Sequence, residues 1–197
     1  MGKHSQAVAT SFYPAKNLGA YGDGGAVLTD SSVLANQLGL LRNLGSATKY
    51  LHAEVGFNSR LDTLQAVVLA AKLRHLENWN NLRRAAADRY CQLLSDIEQV
   101  TLPQVLAGNL HSWHLFVIRV PNRDKVKERL WSEGIGVGVH YPVPIHLQES
   151  FRFLGYRSGD FPVAERLAAE ILSLPLFPGI TGDDQERVVH SLRDALR

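Results

Sequence analysis

At 197 residues, with 45% hydrophobic and 20% charged residues, the chain has an ordinary globular composition that can bury one sizeable core or two small ones. Lys+Arg 21 against Asp+Glu 19 leaves a net charge of +2, too even for nucleic acid or an anionic membrane surface to be the main partner. Cys91 is the only cysteine, which excludes an internal disulfide and a CxxC zinc or redox motif.

No apolar run approaches the roughly 20 residues of a transmembrane helix, and "MGKHSQAVAT" lacks the long apolar stretch of a secretory signal. The expected compartment is therefore the cytoplasm. In chain order, "QAVATSFYP" (Gln6 to Pro14) reads as a strand, rich in β-branched and aromatic residues and stopped by proline. "GGAVLTD" reads as a short strand after a tight turn. "DSSVLANQLGLLRNLG" reads as a helix capped by Asp30 or Ser31, with apolar positions at Val33, Leu34, Leu38 and Leu41 and an end at Gly45. "SATKYLHAEVGFNSR" has no sustained period and reads as a loop.

From Leu61 the spacing of Leu64, Val68, Leu69, Leu73, Leu76 and Trp79 predicts a long helix, resuming through Tyr90, Leu93 and Leu94. Its polar middle, "ENWNNLRR", predicts a bend or break near Asn78 to Asn81 and a passage from one domain into another. A domain boundary is expected near residue 80, dividing 1–80 from 81–197. Cys91, in "DRYCQLLSD", is expected as a buried helix residue. Beyond it, "SWHLFVIRV" predicts a strand, "RDKVKERLWSEG" a helix closed by Gly134, and "IGVGVHYP" a second strand. "PVAERLAAEILSLP" predicts a helix opened by proline, and "TGDDQERVVHSLRDALR" a terminal helix with acids first and arginines last.

Lys16 is the residue that asks for an explanation. A lysine is usually solvated. This one follows an apolar strand after a Pro-Ala step, at the end of a strand where α/β sheets form ligand crevices. Gly19, Gly22, Gly24 and Gly25 follow and permit close approach to a planar ligand, while Ser11 lies five residues upstream with a hydroxyl for an anion. A desolvated lysine amine attacks carbonyls near neutral pH. From the residues alone, a nucleophile and a loop lysine stay level. Ser11 reads equally as a strand-end hydroxyl satisfied by backbone, and Asn58 as a residue near a helix start.

"SFYPAKNLGAYGDGGAVLTD", "LRNLGSATKYLHAEVGFNSRLDTLQAVVL", "HYPVPIHLQ" and "GDFPVAERLAAEILSLPLFPGIT" follow one another along nearly the whole chain. Together they resemble successive blocks of the DegT/DnrJ/StrS family, nucleotide-sugar aminotransferases that use pyridoxal 5'-phosphate (PLP). The resemblance implies an α/β fold of the aspartate aminotransferase-like type (fold type I): the end of the PLP-binding large domain, then a complete small C-terminal α/β domain. It implies that Lys16 is the Schiff-base lysine and afterwards the base and acid that move the proton. It implies that Ser11 hydrogen-bonds the cofactor phosphate, and that Asn58 reaches the phosphate of a neighbouring subunit's PLP, so that the protein works as a dimer.

Arg60 is a candidate to meet a substrate carboxylate or phosphate. His140, Tyr141 and His146 lie on a proline-stiffened loop that the resemblance puts near the sugar. No metal is expected, because no carboxylate or cysteine stands at ligand spacing from these histidines. Trp113 and His114 read as strand packing; Lys49 and Tyr50 are candidates to touch a nucleotide diphosphate.

The expected partners are a nucleotide-sugar substrate and an amino-acid donor, with a homodimer or a complementing N-terminal half. That half would carry most of the sheet, the ring stacked on PLP and the aspartate on its pyridine nitrogen, since "MGKHSQAVATSFYPA" contains no acid. The expected function is transamination of a nucleotide-linked keto-deoxysugar, with dTDP and a 3-keto-6-deoxy sugar favoured and glutamate as donor. The alternative is a non-catalytic chain that acts as an interaction or regulatory subunit.

Overall fold

The computed structural model describes residues 5–197, and the chain divides between Glu77 and Asn78 into two compact units. In the first unit, β1 (Val8–Ser11) pairs antiparallel with β2 (Gly25–Leu28), with Val8 opposite Leu28 and Ser11 opposite Gly25. The strand predicted over Gln6–Pro14 is thus shorter, because the chain past Ser11 must turn into the lysine loop.

Helix α1 (Ser32–Leu41) starts where Ser31 Oγ accepts the Leu34 N–H at 3.2 Å, satisfying a donor that has no partner within the helix. The segment expected as a loop contains a small hairpin, β3 (Ser46–Thr48) with β4 (Leu51–His52), closed at its base by the Ala53 N–H on the Gly45 carbonyl at 2.9 Å. Helix α2 (Thr63–Leu73) ends the unit. The long predicted helix breaks at Arg74–His75 rather than at Asn78–Asn81. The polar patch lies within α3 (Leu76–Leu94) without interrupting it: Glu77, Asn78, Asn81 and Leu82 are exposed, while Arg83 turns inward.

In the second unit, α3 lays Ala87, Tyr90 and Leu94 against β5 (Phe116–Arg119) and its neighbours. Tyr90 stacks on Phe116 with centroids 5.1 Å apart, and its hydroxyl donates to the Pro175 carbonyl at 3.0 Å. Burial, with the Asp184 charge second, raises the Tyr90 phenol above its ordinary range. Trp113 also packs against Phe116, with centroids 5.5 Å apart, as expected of a core residue, but its own backbone is left-handed (φ 44°), and the strand begins only at Phe116. Cys91 is half-buried on α3, not fully buried.

Helix α4 (Arg123–Ser132) ends as predicted through Gly134, whose N–H donates to the Trp131 carbonyl at 2.9 Å. The partner of β5 corrects the sequence reading twice. It is β6 (Ile171–Leu174), antiparallel with Phe116 opposite Leu174, so helix α5 (Pro162–Glu170) stops five residues earlier than its pattern suggested. "IGVGVHYP" is not a strand: it contributes one bridge, Gly138 to Ser173, at the outer side of β6. Between these lie two short 3-10 helices, Ile145–Leu147 and Glu149–Leu154. The last helix, α6 (Gly182–Ala195), opens on a capping box in which Thr181 Oγ1 accepts the Asp184 N–H and Asp184 accepts the Thr181 N–H, both at 3.1 Å.

Candidate cofactor and substrate residues

Lys16 lies in a loop whose ends are drawn together by backbone bonds. The Phe12 N–H donates to the Gly24 carbonyl at 2.7 Å, and the Ala20 N–H to the Phe12 carbonyl at 2.8 Å. Within it, the Lys16 N–H turns back onto the Tyr13 carbonyl at 2.8 Å, and the residue is half-buried. Gly19 passes so close to Pro14 that a Cβ would stand 2.2 Å from the Pro14 carbonyl oxygen, so only glycine closes the loop there. Helix α2 then ties it down: Lys72 Nζ donates to the Gly19 carbonyl at 2.7 Å and lies 4.6 Å from the centre of the Tyr21 ring, and the Tyr21 N–H donates to Gln65 Oε1 at 2.8 Å. Lys72 and Gln65 were not singled out in the sequence; their role depends on a partner in the loop more than forty residues away.

Ser11 ends β1, and its Oγ accepts the Tyr13 N–H at 3.2 Å, which leaves the hydroxyl proton available to an anion. Asn58 and Arg60 meet: Arg60 Nε donates to Asn58 Oδ1 at 3.1 Å. That contact uses the acceptor end of the carboxamide and leaves its NH₂ as donor. The Asn58 backbone is bridged to Asn43, and the Ser59 N–H donates to the Arg42 carbonyl at 2.9 Å, so the pair rides on the end of α1. Lys49 lies 4.9 Å from the centre of the Tyr50 ring in the β3–β4 hairpin, where both residues are exposed.

The other predicted residues belong to the second unit. His140 Nδ1 is 2.9 Å from Ser173 Oγ, and its ring meets the exposed Tyr141 edge-on at 5.5 Å. His146 is sequestered: its Nε2 is 3.0 Å from Glu165 Oε1, and its ring packs 4.7 Å from Phe161. Glu165 also accepts the N–H groups of Gly159 and Phe161 and the hydroxyl of Ser158. Those donors, the Gly159 N–H first, hold its carboxyl below the usual range. His146 thus fastens the loop to α5, a role that its place in "PVPIHLQ" did not reveal. No group of three or more His, Cys, Asp or Glu residues able to hold a metal occurs among the described residues. No helix among them is long and apolar enough to cross a membrane.

An α/β chain with a lysine on a glycine-closed loop, a free hydroxyl and a directed carboxamide has the donors of a PLP enzyme. The chain belongs to the DegT/DnrJ/EryC1/StrS aminotransferase family, which it matches over residues 1–193. It is 47% identical over 193 residues to "Erythromycin biosynthesis sensory transduction protein EryC1" of Saccharopolyspora erythraea, a match covering 98% of this chain and 53% of that protein. It is 42% identical over 194 residues to dTDP-3-amino-3,4,6-trideoxy-alpha-D-glucose transaminase of Streptomyces venezuelae, covering 98% of this chain and 51% of that one. The crystal structure of S. venezuelae DesV in complex with a ketimine intermediate superposes with a TM-score of 0.94 at 42% identity, over 100% of this chain and 53% of that chain.

The fold is thus that of the PLP-dependent sugar aminotransferases, and the chain spans about half the length of the curated relatives it matches. The residues present fit the cofactor: a primary amine for its aldehyde at Lys16, and a hydroxyl and a carboxamide N–H for its phosphate at Ser11 and Asn58.

Proposed function

We propose that this chain takes part in PLP-dependent transamination of a nucleotide-linked keto-deoxysugar, a 3-keto-6-deoxyhexose on dTDP, with glutamate as amino donor. The observation that carries the reading is Lys16, half-buried on a loop that Gly19 closes and Lys72 tethers. Such a loop holds an amine in one place, which a covalent attachment point requires.

PLP, when bound, supplies the electron sink that stabilises negative charge at the substrate carbon. The chain's own residues do the rest. Lys16 Nζ would hold the cofactor through its aldehyde and would be the group that takes up and returns the proton at the substrate carbon. Ser11 donates its hydroxyl proton to the phosphate. Asn58, its oxygen held by Arg60, donates its NH₂ to the phosphate on a partner subunit, so the working form is a dimer. Arg60 offers its remaining guanidinium donors to an acidic group of the substrate. His140 and Tyr141 meet the sugar, and His146 serves that contact through the loop it fastens.

The test is cofactor capture. Purified chain mixed with PLP and reduced with borohydride is expected to gain one pyridoxyl phosphate, mapped by peptide mass to Lys16 and lost in Lys16→Ala. An adduct scattered over other lysines, unchanged by Lys16→Ala, overturns the assignment. The name of the S. erythraea relative, a sensory transduction protein, favours a second reading, in which the chain acts as a regulatory or interaction subunit. Absence of any Lys16 adduct, alone and with a complementing polypeptide, together with retained self-association, selects that reading.

A further inference from the structure

Ser173 is buried in β6, yet it is polar and sits in the apolar run "ILSLP". Its backbone is fully used: its N–H donates to the Gly138 carbonyl at 2.8 Å, and its carbonyl accepts the Gly138 N–H at 3.1 Å. Its hydroxyl lies 2.9 Å from His140 Nδ1. The imidazole folds back over Gly138 so closely that a Cβ there would stand 2.7 Å from His140 Cε1. Tyr141 flanks the ring edge-on. Two independent features therefore set one ring orientation: a hydroxyl that takes Nδ1, and a missing side chain that gives the ring its room. They leave Nε2 as the imidazole nitrogen without a protein partner among the described residues.

From this geometry we infer that Ser173 and Gly138 are positioning residues: they fix His140 so that Nε2 is the atom offered to a hydroxyl or keto oxygen of the sugar. A free histidine side chain rotates about χ1 and χ2 and exposes either nitrogen; here one nitrogen is held by the sheet, so the other has a defined place. The sugar as ligand rests on the nucleotide-sugar reading above, whereas the fixed ring does not.

The full chain, labelled with ¹⁵N-histidine, provides the test. Wild type is expected to show His140 ring-nitrogen signals displaced from those of a freely rotating imidazole at neutral pH. Ser173→Ala removes only an oxygen from a packed strand, and Gly138→Ala puts a Cβ against the His140 ring while keeping the Ser173 hydroxyl. Both are expected to move the His140 ring-nitrogen signals toward those of a free imidazole and to leave those of His146, held by Glu165, in place. Unchanged His140 signals in Ser173→Ala overturn the inference.

Titration with dTDP-glucose adds the second arm. Binding is expected to shift His140 Nε2 in wild type and to weaken about threefold to tenfold in Ser173→Ala, the loss of one hydrogen bond's worth of positioning. Equal affinity of wild type and Ser173→Ala overturns the positioning role. If the nucleotide sugar binds neither, the sugar reading fails, and the ring signals alone decide whether Ser173 and Gly138 orient His140.

Discussion

The two units are held in different ways. In the second, Tyr90, Phe116, Ile118, Leu130, Leu172 and Leu192 are all fully buried in one continuous apolar cluster that draws on α3, α4, α6 and both strands. In the first, the only buried apolar side chains among the described residues are Ala20 and Leu69, while Tyr21, Tyr50, Val55, Phe57 and Leu64 stand in solvent. What fixes the lysine loop is polar: Lys72 on the Gly19 carbonyl, Gln65 on the Tyr21 N–H, and the backbone bonds at Phe12 and Ala20. Hydrophobic burial is the dominant stabilising term, so the second unit carries its own stability, and the unit that bears Lys16 carries little.

The largest expected effect breaks the cored unit. Phe116 is 0% exposed between Tyr90 and Trp113, so Phe116→Ala is expected to cost about 3–5 kcal/mol in denaturant unfolding. Leu64→Ala, in the first unit at 80% exposure, is expected to stay within about 0.5 kcal/mol. A polar keystone comes next. Arg83 is buried in α3, and its Nη1 donates to the carbonyls of Leu176 at 2.9 Å and Trp113 at 3.3 Å. Burial lowers its guanidinium below the ordinary value. Arg83→Ala strips buried carbonyls of their donor and is expected to cost about 1–3 kcal/mol, read from the same unfolding midpoint.

The same contrast sorts what could be read from the sequence. Where a local signal decides, it was legible: Ser31 at the start of α1, Gly134 after α4, and the acids that open α6. The lysine loop was legible too, because a strand end, a lysine and a glycine cluster are adjacent in the chain. Where pairing across the chain decides, it was not. "AAEILSLP" is locally a helix former, and only hydrogen bonding to β5 turns its second half into β6. The break at Arg74–His75 falls in a stretch with neither glycine nor proline. Glu165 and Ser173 acquire meaning only from histidines 19 and 33 residues away.

A smaller effect sharpens the comparison through pH. The Gly159 N–H and its companion donors lower the folded pKa of Glu165, and the Thr181 hydroxyl and N–H lower that of Asp184. A carboxylate depressed on folding adds stability that is present above its unfolded value of about 4 and is lost as pH falls through the folded one. The melting temperature of the second unit is therefore expected to fall on acidification below that range. Glu165→Gln, which no longer offers two anionic acceptors, should flatten the fall and free His146. An unchanged acid profile in this variant would remove Glu165 from the account.

The smallest expected effect on global stability is the most informative about the first unit. Lys72→Met keeps the apolar stem of the side chain but removes the ammonium that binds the Gly19 carbonyl and faces the Tyr21 ring. Global stability should change by less than about 1 kcal/mol, since a single half-buried polar contact is lost and the second core is untouched. Local opening should change far more. Backbone amides between Ala15 and Gly22 should exchange with solvent deuterium faster than in the parent chain, while those of Phe116, Ile118 and Leu172 keep their protection. Borohydride trapping of PLP at Lys16 should fall in step with the loosened loop. If the amides of the second core lose protection to the same extent, the two units open as one cooperative body, and the separation of a stable half from a chemically active one does not hold.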